Sequence, residues 1–141
     1  MERLYTAKAT SMGGRTGCVK TDDGVIAMTM CMPGEQSGYK SDKCTNPEQL
    51  FACAYAVCYH SALKLILKKK HLPFDDTRVD IAVNLNARDN GHFLSVDIDV
   101  YIPGVDKEKA KNAIHLAHEI CPYSKAIRNN VDVTFNVVDS C

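Results

Sequence analysis

The sequence predicts an α+β fold in which antiparallel sheets wrap around a single long, buried helix. Three observations carry that expectation. Strand-like segments with apolar–polar alternation open the chain, recur in its middle and close it. One helical stretch is apolar on nearly every face, which marks a helix covered on most sides. The order of elements, βββ-α-ββ-α-α-β, groups the strands in runs and so differs from the strict alternation of a parallel α/β fold.

The first three strands are read in LYTAKATSM, RTGCVKTD and VIAMTMCM, the last two joined by the turn Asp22-Asp23-Gly24. A loop rich in Gly, Ser and Lys runs from Pro33 to Cys44. Thr45 or Asn46 then caps a helix that has Pro47 in its first turn and Glu48 where a carboxylate complements the helix dipole. This helix should extend to about Lys70 and end in the KKKH run, whose cations suit a helix C-terminus. Two alternating strands, VDIAVNLNA and FLSVDIDVYI, form a hairpin through Asp89-Asn90-Gly91. A helix from Asp106 to about Ile120 follows, then a short helix opened by Cys121-Pro122 and a last strand, VDVTFNVV.

At 141 residues the chain is expected to form one domain, 1–141, able to bury roughly two thirds of its unfolded surface. Seventeen basic residues balance seventeen acidic ones, so no electrostatic footprint points to nucleic acid or to an anionic membrane. The apolar run Leu50 to Tyr59 is short for a bilayer span, and MERLYTAKATSMGG lacks the apolar core of a signal peptide. A cytoplasmic protein is expected. The seven cysteines are odd in number and unevenly spaced, with no C-x-x-C pair, unlike a secreted disulfide framework. In a reducing compartment they are read as structural, metal-binding or reactive thiols.

Cys58 poses the functional question. It lies roughly three turns into the long helix, beyond reach of the N-terminal dipole, and burial raises a thiol pKa while nucleophilic attack needs the thiolate. A reactive Cys58 therefore needs a cation. Arg15, in Gly13-Gly14-Arg15, is the candidate: it stays charged when dry, and its planar fork can hold a carboxylate while facing a sulfur or a peroxide oxygen. Glu48 is the candidate carboxylate. It stands ten residues from Cys58, about 15 Å along one straight helix, so the two cannot serve one site in one chain. Two copies of the helix crossing antiparallel near Cys53, with Ala52, Ala54 and Ala56 allowing close approach, would bring Glu48 of one chain to Cys58 of the other. A homodimer with two equivalent sites is expected. Cys121, at the start of a new helix, is the natural second thiol: a sulfenic acid on one cysteine condenses with the other to a disulfide.

The segments LYTAKATSMGGRTG, DDGVIAM, TNPEQLFACAYAVC and ICPYSKAIRNNVDVTFNVV closely resemble the organic hydroperoxide resistance proteins, a branch of the osmotically inducible protein C (OsmC) superfamily. The resemblance runs from Leu4 to Val138, and the pairing of TNPEQLFA…C with CPYS makes it specific. It implies an intertwined homodimer, a peroxidatic Cys58, a resolving Cys121, and Arg15 with Glu48 as the activating pair. It also implies no metal or bound prosthetic group, and recycling by an external dithiol of the lipoyl (dihydrolipoamide) type, small or carried on a lipoylated protein. The substrates implied are organic hydroperoxides. Apolar neighbours Leu50, Phe51, Tyr55 and Tyr59 are the candidate lining of a pocket for alkyl and fatty-acid chains.

Several features depart from that pattern. The lid region before TNPEQL, glycine-rich in the family, reads SGYKSDKC. Cys18, Cys31, Cys44, Cys53 and Cys141 are additional cysteines, expected as core or surface thiols, and His60 stands where an apolar residue is usual. His60 is expected to be partly exposed or hydrogen-bonded. Two rival readings remain. His115-x-x-His118-x-x-Cys121 has a spacing that could hold zinc on one helix face, although no fourth ligand is evident. A noncatalytic dimer could bind an apolar ligand in the same pocket.

Overall fold

The structure, a computed structural model, describes residues 1–34 and 44–139. The SGYKSDK part of the expected lid, and Cys141, lie outside the described residues. The chain divides into two compact units, Met1–Leu50 and Phe51–Cys141.

In the first unit four strands form one sheet in the order β1-β2-β3-β4: β1 Ala9–Met12, β2 Cys18–Thr21, β3 Ala27–Met30 and β4 Cys44–Thr45. β1, β2 and β3 pair antiparallel. The β2–β3 turn is the Asp22-Asp23-Gly24 turn expected from sequence. Asp23 Oδ1 accepts from the Thr21 hydroxyl at 2.6 Å and from the Val25 amide at 3.0 Å, and Gly24 takes the left-handed φ of 73°. β4 lies parallel to β3, with Thr29 opposite Cys44 and Met30 opposite Thr45. Two residues carry no alternation to read, so this strand had no sequence signal.

Helix α1, Pro47–Lys69, starts in the first unit and runs without a break. Asn46 supplies the cap: its Oδ1 accepts from the Gln49 amide at 2.8 Å, while the Thr45 hydroxyl donates to Gln49 Oε1 at 2.8 Å. In the second unit β5 Arg78–Arg88 and β6 Gly91–Tyr101 form the expected antiparallel hairpin, turning through Asp89-Asn90. Helices α2 Lys107–Ile120 and α3 Pro122–Ile127 then cross to β7 Asp132–Val137. β7 returns parallel to β6, from Ser95 opposite Asp132 to Val100 opposite Val137. A crossover of this length is what a parallel neighbour requires. Both sheets are therefore mixed, which corrects the purely antiparallel expectation; strand direction leaves no mark in an alternating pattern.

The core of the second unit is fixed by side-chain period. Val96, Ile98 and Val100 point inward from β6, and Ala110, Ala113, Ile114 and Ala117 form the buried stripe of α2. One face of α1 joins them through Tyr55, Tyr59, Leu63 and Leu67, none with any exposure. The opposite face does not. Val57 keeps 70% of its surface and Leu65 46%, and only 28% of the apolar window of α1 is buried within the single chain. Within the single chain this helix is covered on one face. By length and composition alone it could cross a membrane. It also carries Lys64 and His60 mid-course, and its packed face belongs to the core of an α+β unit.

Candidate active site

The four residues singled out for chemistry form two pairs, one in each unit. Arg15 sits in the turn that links β1 to β2. Gly13 and Gly14 take φ of 79° and 59°, and a single 3₁₀ turn, Gly14–Thr16, follows. These left-handed values favour glycine at both positions. Gly17 closes the turn for a different reason: a Cβ there would run into the Met12 carbonyl oxygen. The turn aims Arg15 at the first turn of α1, where Nη1 donates to Glu48 Oε2 at 2.9 Å and Nη2 to Oε1 at 2.6 Å. This is the two-pronged geometry that a planar guanidinium makes with a carboxylate. The Arg15 hydrogen bond holds Glu48 below the usual carboxylate range against the opposing effect of burial.

The second pair is Cys58 and Cys121. Cys58 lies on α1. Cys121 occupies the elbow between α2 and α3, in extended conformation (φ −62°, ψ 123°), with Pro122 opening α3 after it. The two sulfurs stand 3.8 Å apart, both reduced; Cys121 is fully buried and Cys58 half-buried. A disulfide bond of about 2.05 Å is within a short approach of that separation. Within its own unit Cys58 is pushed above the ordinary thiol range, first by burial and then by Cys121 beside it, against a smaller downward pull from the Tyr123 amide. Within that unit alone the sulfur is a protonated thiol at neutral pH.

The apolar set divides. Leu50 and Phe51 are half-buried, whereas Tyr55 and Tyr59 have no exposed surface and both hydroxyls are occupied. Tyr59 donates to the Ile114 carbonyl at 3.0 Å and Tyr55 meets Ser124 Oγ at 2.7 Å. Two cavities, of about 570 and 470 Å³, are lined by residues of α2 and its neighbours and by none of the four. His60 is half-buried and hydrogen-bonded through Nε2 to Thr77 Oγ1 at 2.8 Å.

Sequence reasoning missed two features. Cys31 and Cys44, expected as thiols, are joined in a disulfide with Cα atoms 5.6 Å apart. Cys44 belongs to β4, and the Cys31 amide donates to the Thr45 carbonyl at 2.8 Å, so the bridge fastens the strand that leads into the α1 cap. The parallel β3–β4 pairing brings these two cysteines together, and that pairing was illegible. The second is Ser124, fully buried and bonded to Tyr55; its place one turn after Cys121 was visible in CPYS, its partner was not.

The zinc reading loses its geometry. His115 Nε2 faces Glu119 Oε1 at 3.2 Å on the exposed side of α2, the His118 ring packs edge-on against Phe135, and Cys121 faces Cys58. Among the described residues no three His, Cys, Asp or Glu side chains converge to hold a metal ion.

Comparison with known proteins gives consistent results. The family model described as OsmC-like protein matches residues 40–136. The organic hydroperoxide resistance protein OhrB of Bacillus subtilis is 40% identical over 131 residues, covering 92% of this chain and 95% of that one. Its crystal structure superposes with a TM-score of 0.87 at 39% identity, covering 96% of this chain and 100% of that chain. The crystal structure of an organic hydroperoxide resistance protein from Elizabethkingia anophelis superposes with a TM-score of 0.87 at 40% identity, covering 99% and 100%.

Proposed function

Because the chain belongs to the OsmC-like family, and within it to the organic hydroperoxide resistance proteins, we propose that it is a cysteine-based peroxidase for organic hydroperoxides. The observation that carries this reading is the 3.8 Å separation of the reduced Cys58 and Cys121 sulfurs. In the proposed cycle Cys58 thiolate attacks the distal oxygen of R–O–O–H. The O–O bond breaks, alcohol leaves and Cys58 becomes a sulfenic acid. Cys121 displaces its hydroxyl as water to give a Cys58–Cys121 disulfide, which an external dithiol of the lipoyl type, free or on a lipoylated protein, reduces back to two thiols.

The raised Cys58 titration has to be reversed for this chemistry, and Arg15, held in orientation by Glu48, is the group assigned to do it. We place that encounter in a homodimer. The bare apolar face of α1, with Cys53, Val57 and Leu65 on it, needs a cover, and an antiparallel second copy supplies one while carrying Glu48 toward the partner sulfur. The same pairing would complete an apolar pocket from Leu50 and Phe51, backed by Tyr55 and Tyr59. With each buried methylene worth about 0.8 kcal/mol, alkyl and fatty-acid hydroperoxides would be preferred to hydrogen peroxide. The proposed protein is cytoplasmic and works with no metal or bound prosthetic group.

The test is consumption of cumene hydroperoxide with dihydrolipoamide as reductant. Turnover that disappears in Cys58→Ser supports the reading. Tight binding of the hydroperoxide with no consumption by the wild type would replace it with the noncatalytic apolar-ligand dimer.

A further inference from the structure

We propose that Tyr55 and Ser124 form a clasp that sets the approach of Cys121 to Cys58, making both of them positioning residues for the disulfide-forming step; the inference rests on the peroxidase reading above. Tyr55 lies three residues before Cys58 on α1, and Ser124 three residues after Cys121 on α3. Each is about one helical turn from its cysteine, so the hydroxyl pair and the sulfur pair are successive rungs between the same two helices. The hydroxyls meet at 2.7 Å and the sulfurs at 3.8 Å.

The clasp is the fully buried side-chain hydrogen bond at the sulfur end of α3. That helix has six residues, Pro122–Ile127, too few to be stable alone. Its far end is tied by Arg128, whose Nη2 donates to the His118 carbonyl at 2.7 Å. Its near end leaves the extended elbow at Cys121, whose buried sulfur faces Cys58. Between them only Ser124 is fully buried, and its hydroxyl meets Tyr55, also fully buried. The Tyr55 ring is itself fixed, stacked on Tyr123 at 6.1 Å and edge-on to Tyr59 at 6.4 Å. Two hydroxyls shut away from water are each other's satisfaction, so removing either leaves the other unpaired and frees the first turn of α3.

The step affected is condensation of Cys58–SOH with Cys121–SH. The S–S bond forms, the S–O bond of the sulfenic acid breaks, and the hydroxyl leaves with the Cys121 proton as water. Of the two thiols only Cys58 makes or breaks a bond in the attack on the peroxide, whereas closure needs both. The clasp therefore separates the two steps. Loss of it should slow closure and spare oxidation.

The chain has no tryptophan to report these steps by fluorescence, so they are followed by rapid quench and mass spectrometry, which separates thiol, sulfenic acid and disulfide. Wild type, Tyr55→Phe, Ser124→Ala, the double variant and Ser124→Thr are each mixed with cumene hydroperoxide, with dimedone as sulfenic acid trap. The clasp predicts disulfide closure slowed about tenfold in both single variants, with oxidation of Cys58 unchanged within about twofold in Ser124→Ala, which leaves the pocket residues in place. It further predicts that the double variant is no slower than either single one, and that Ser124→Thr recovers closure. Unchanged closure in both single variants overturns the proposal, as does equal slowing of both steps in Ser124→Ala, which would mean general damage to the fold. A parallel arm drives closure with diamide, a two-electron thiol oxidant that links the thiols as it is reduced to the hydrazine. If the wild type consumes no hydroperoxide, the proposed function fails, and the diamide arm still decides the clasp by whether the variants close more slowly.

Discussion

Arg15 and Glu48, 33 residues apart in sequence, meet through two parallel hydrogen bonds of 2.9 and 2.6 Å. A double-glycine turn presents one and a helix N-terminus presents the other, so the pair is held by backbone on both sides. Lysine at position 15 keeps the charge and loses the fork. Arg15→Lys should lower kcat/KM for cumene hydroperoxide by about tenfold to a hundredfold with the fold intact. A loss of less than twofold would show that the fork has no catalytic part.

The pH dependence of this pair has a definite sign. Arg15 lowers the Glu48 titration in the folded protein, so the pair stabilises the fold above the unfolded carboxylate value of about 4.3 and loses that contribution as pH falls through the lower folded value. Glu48→Gln should be less stable than wild type at pH 7 in urea unfolding. The difference should shrink below about pH 4. A gap that stays constant into acid would mean that the carboxylate charge is not what matters.

The exposed face of α1 predicts the oligomeric state. Light scattering should give twice the 15.6 kDa chain mass for wild type, and Val57→Arg, which places a charge on that face, should give a monomer. In the monomer Cys58 should remain above the ordinary thiol range of about 8.5, so iodoacetamide labelling at pH 7 should be much slower than in the dimer. A complementation experiment tests where the sites lie. Mixed dimers of Glu48→Gln with Cys58→Ser chains should recover one working site in two. Their failure to recover any would place Glu48 and Cys58 of one site in the same chain.

The Cys31–Cys44 bridge closes a loop across a sequence separation of 13. Alkylation before reduction should leave these two cysteines unlabelled while Cys18, Cys53, Cys58 and Cys121 react on unfolding. Replacing both by serine should cost about 3 kcal/mol of stability. Quantitative labelling of Cys31 and Cys44 in freshly purified, unreduced protein would contradict the bridge.

Much of this was legible in the sequence because it is local. The Asp22-Asp23-Gly24 turn, the Asn46 cap, the α1 span and the β5–β6 hairpin each follow from residues next to one another, and all stand where expected. The features that were not legible are those that pair distant segments. β4 is two residues long, the parallel direction of β7 depends on a crossover, and the Cys31–Cys44 bridge depends on β4. In the candidate site the functional types were readable from TNPEQL and CPYS. The burial of Tyr55 and Tyr59 was not, because an apolar residue of α1 can face either the sheet or the open side. Ser124 shows the same limit: its spacing from Cys121 was visible and its hydroxyl partner, 69 residues away, was not.

The central claim is that Cys58 and Cys121 form one redox couple, and the most direct measurement is peptide mapping after a single equivalent of alkyl hydroperoxide. The account predicts one new disulfide, Cys58 to Cys121, with one equivalent of alcohol released. A different pairing, or a Cys121 that still alkylates freely after the peroxide is consumed, would contradict it.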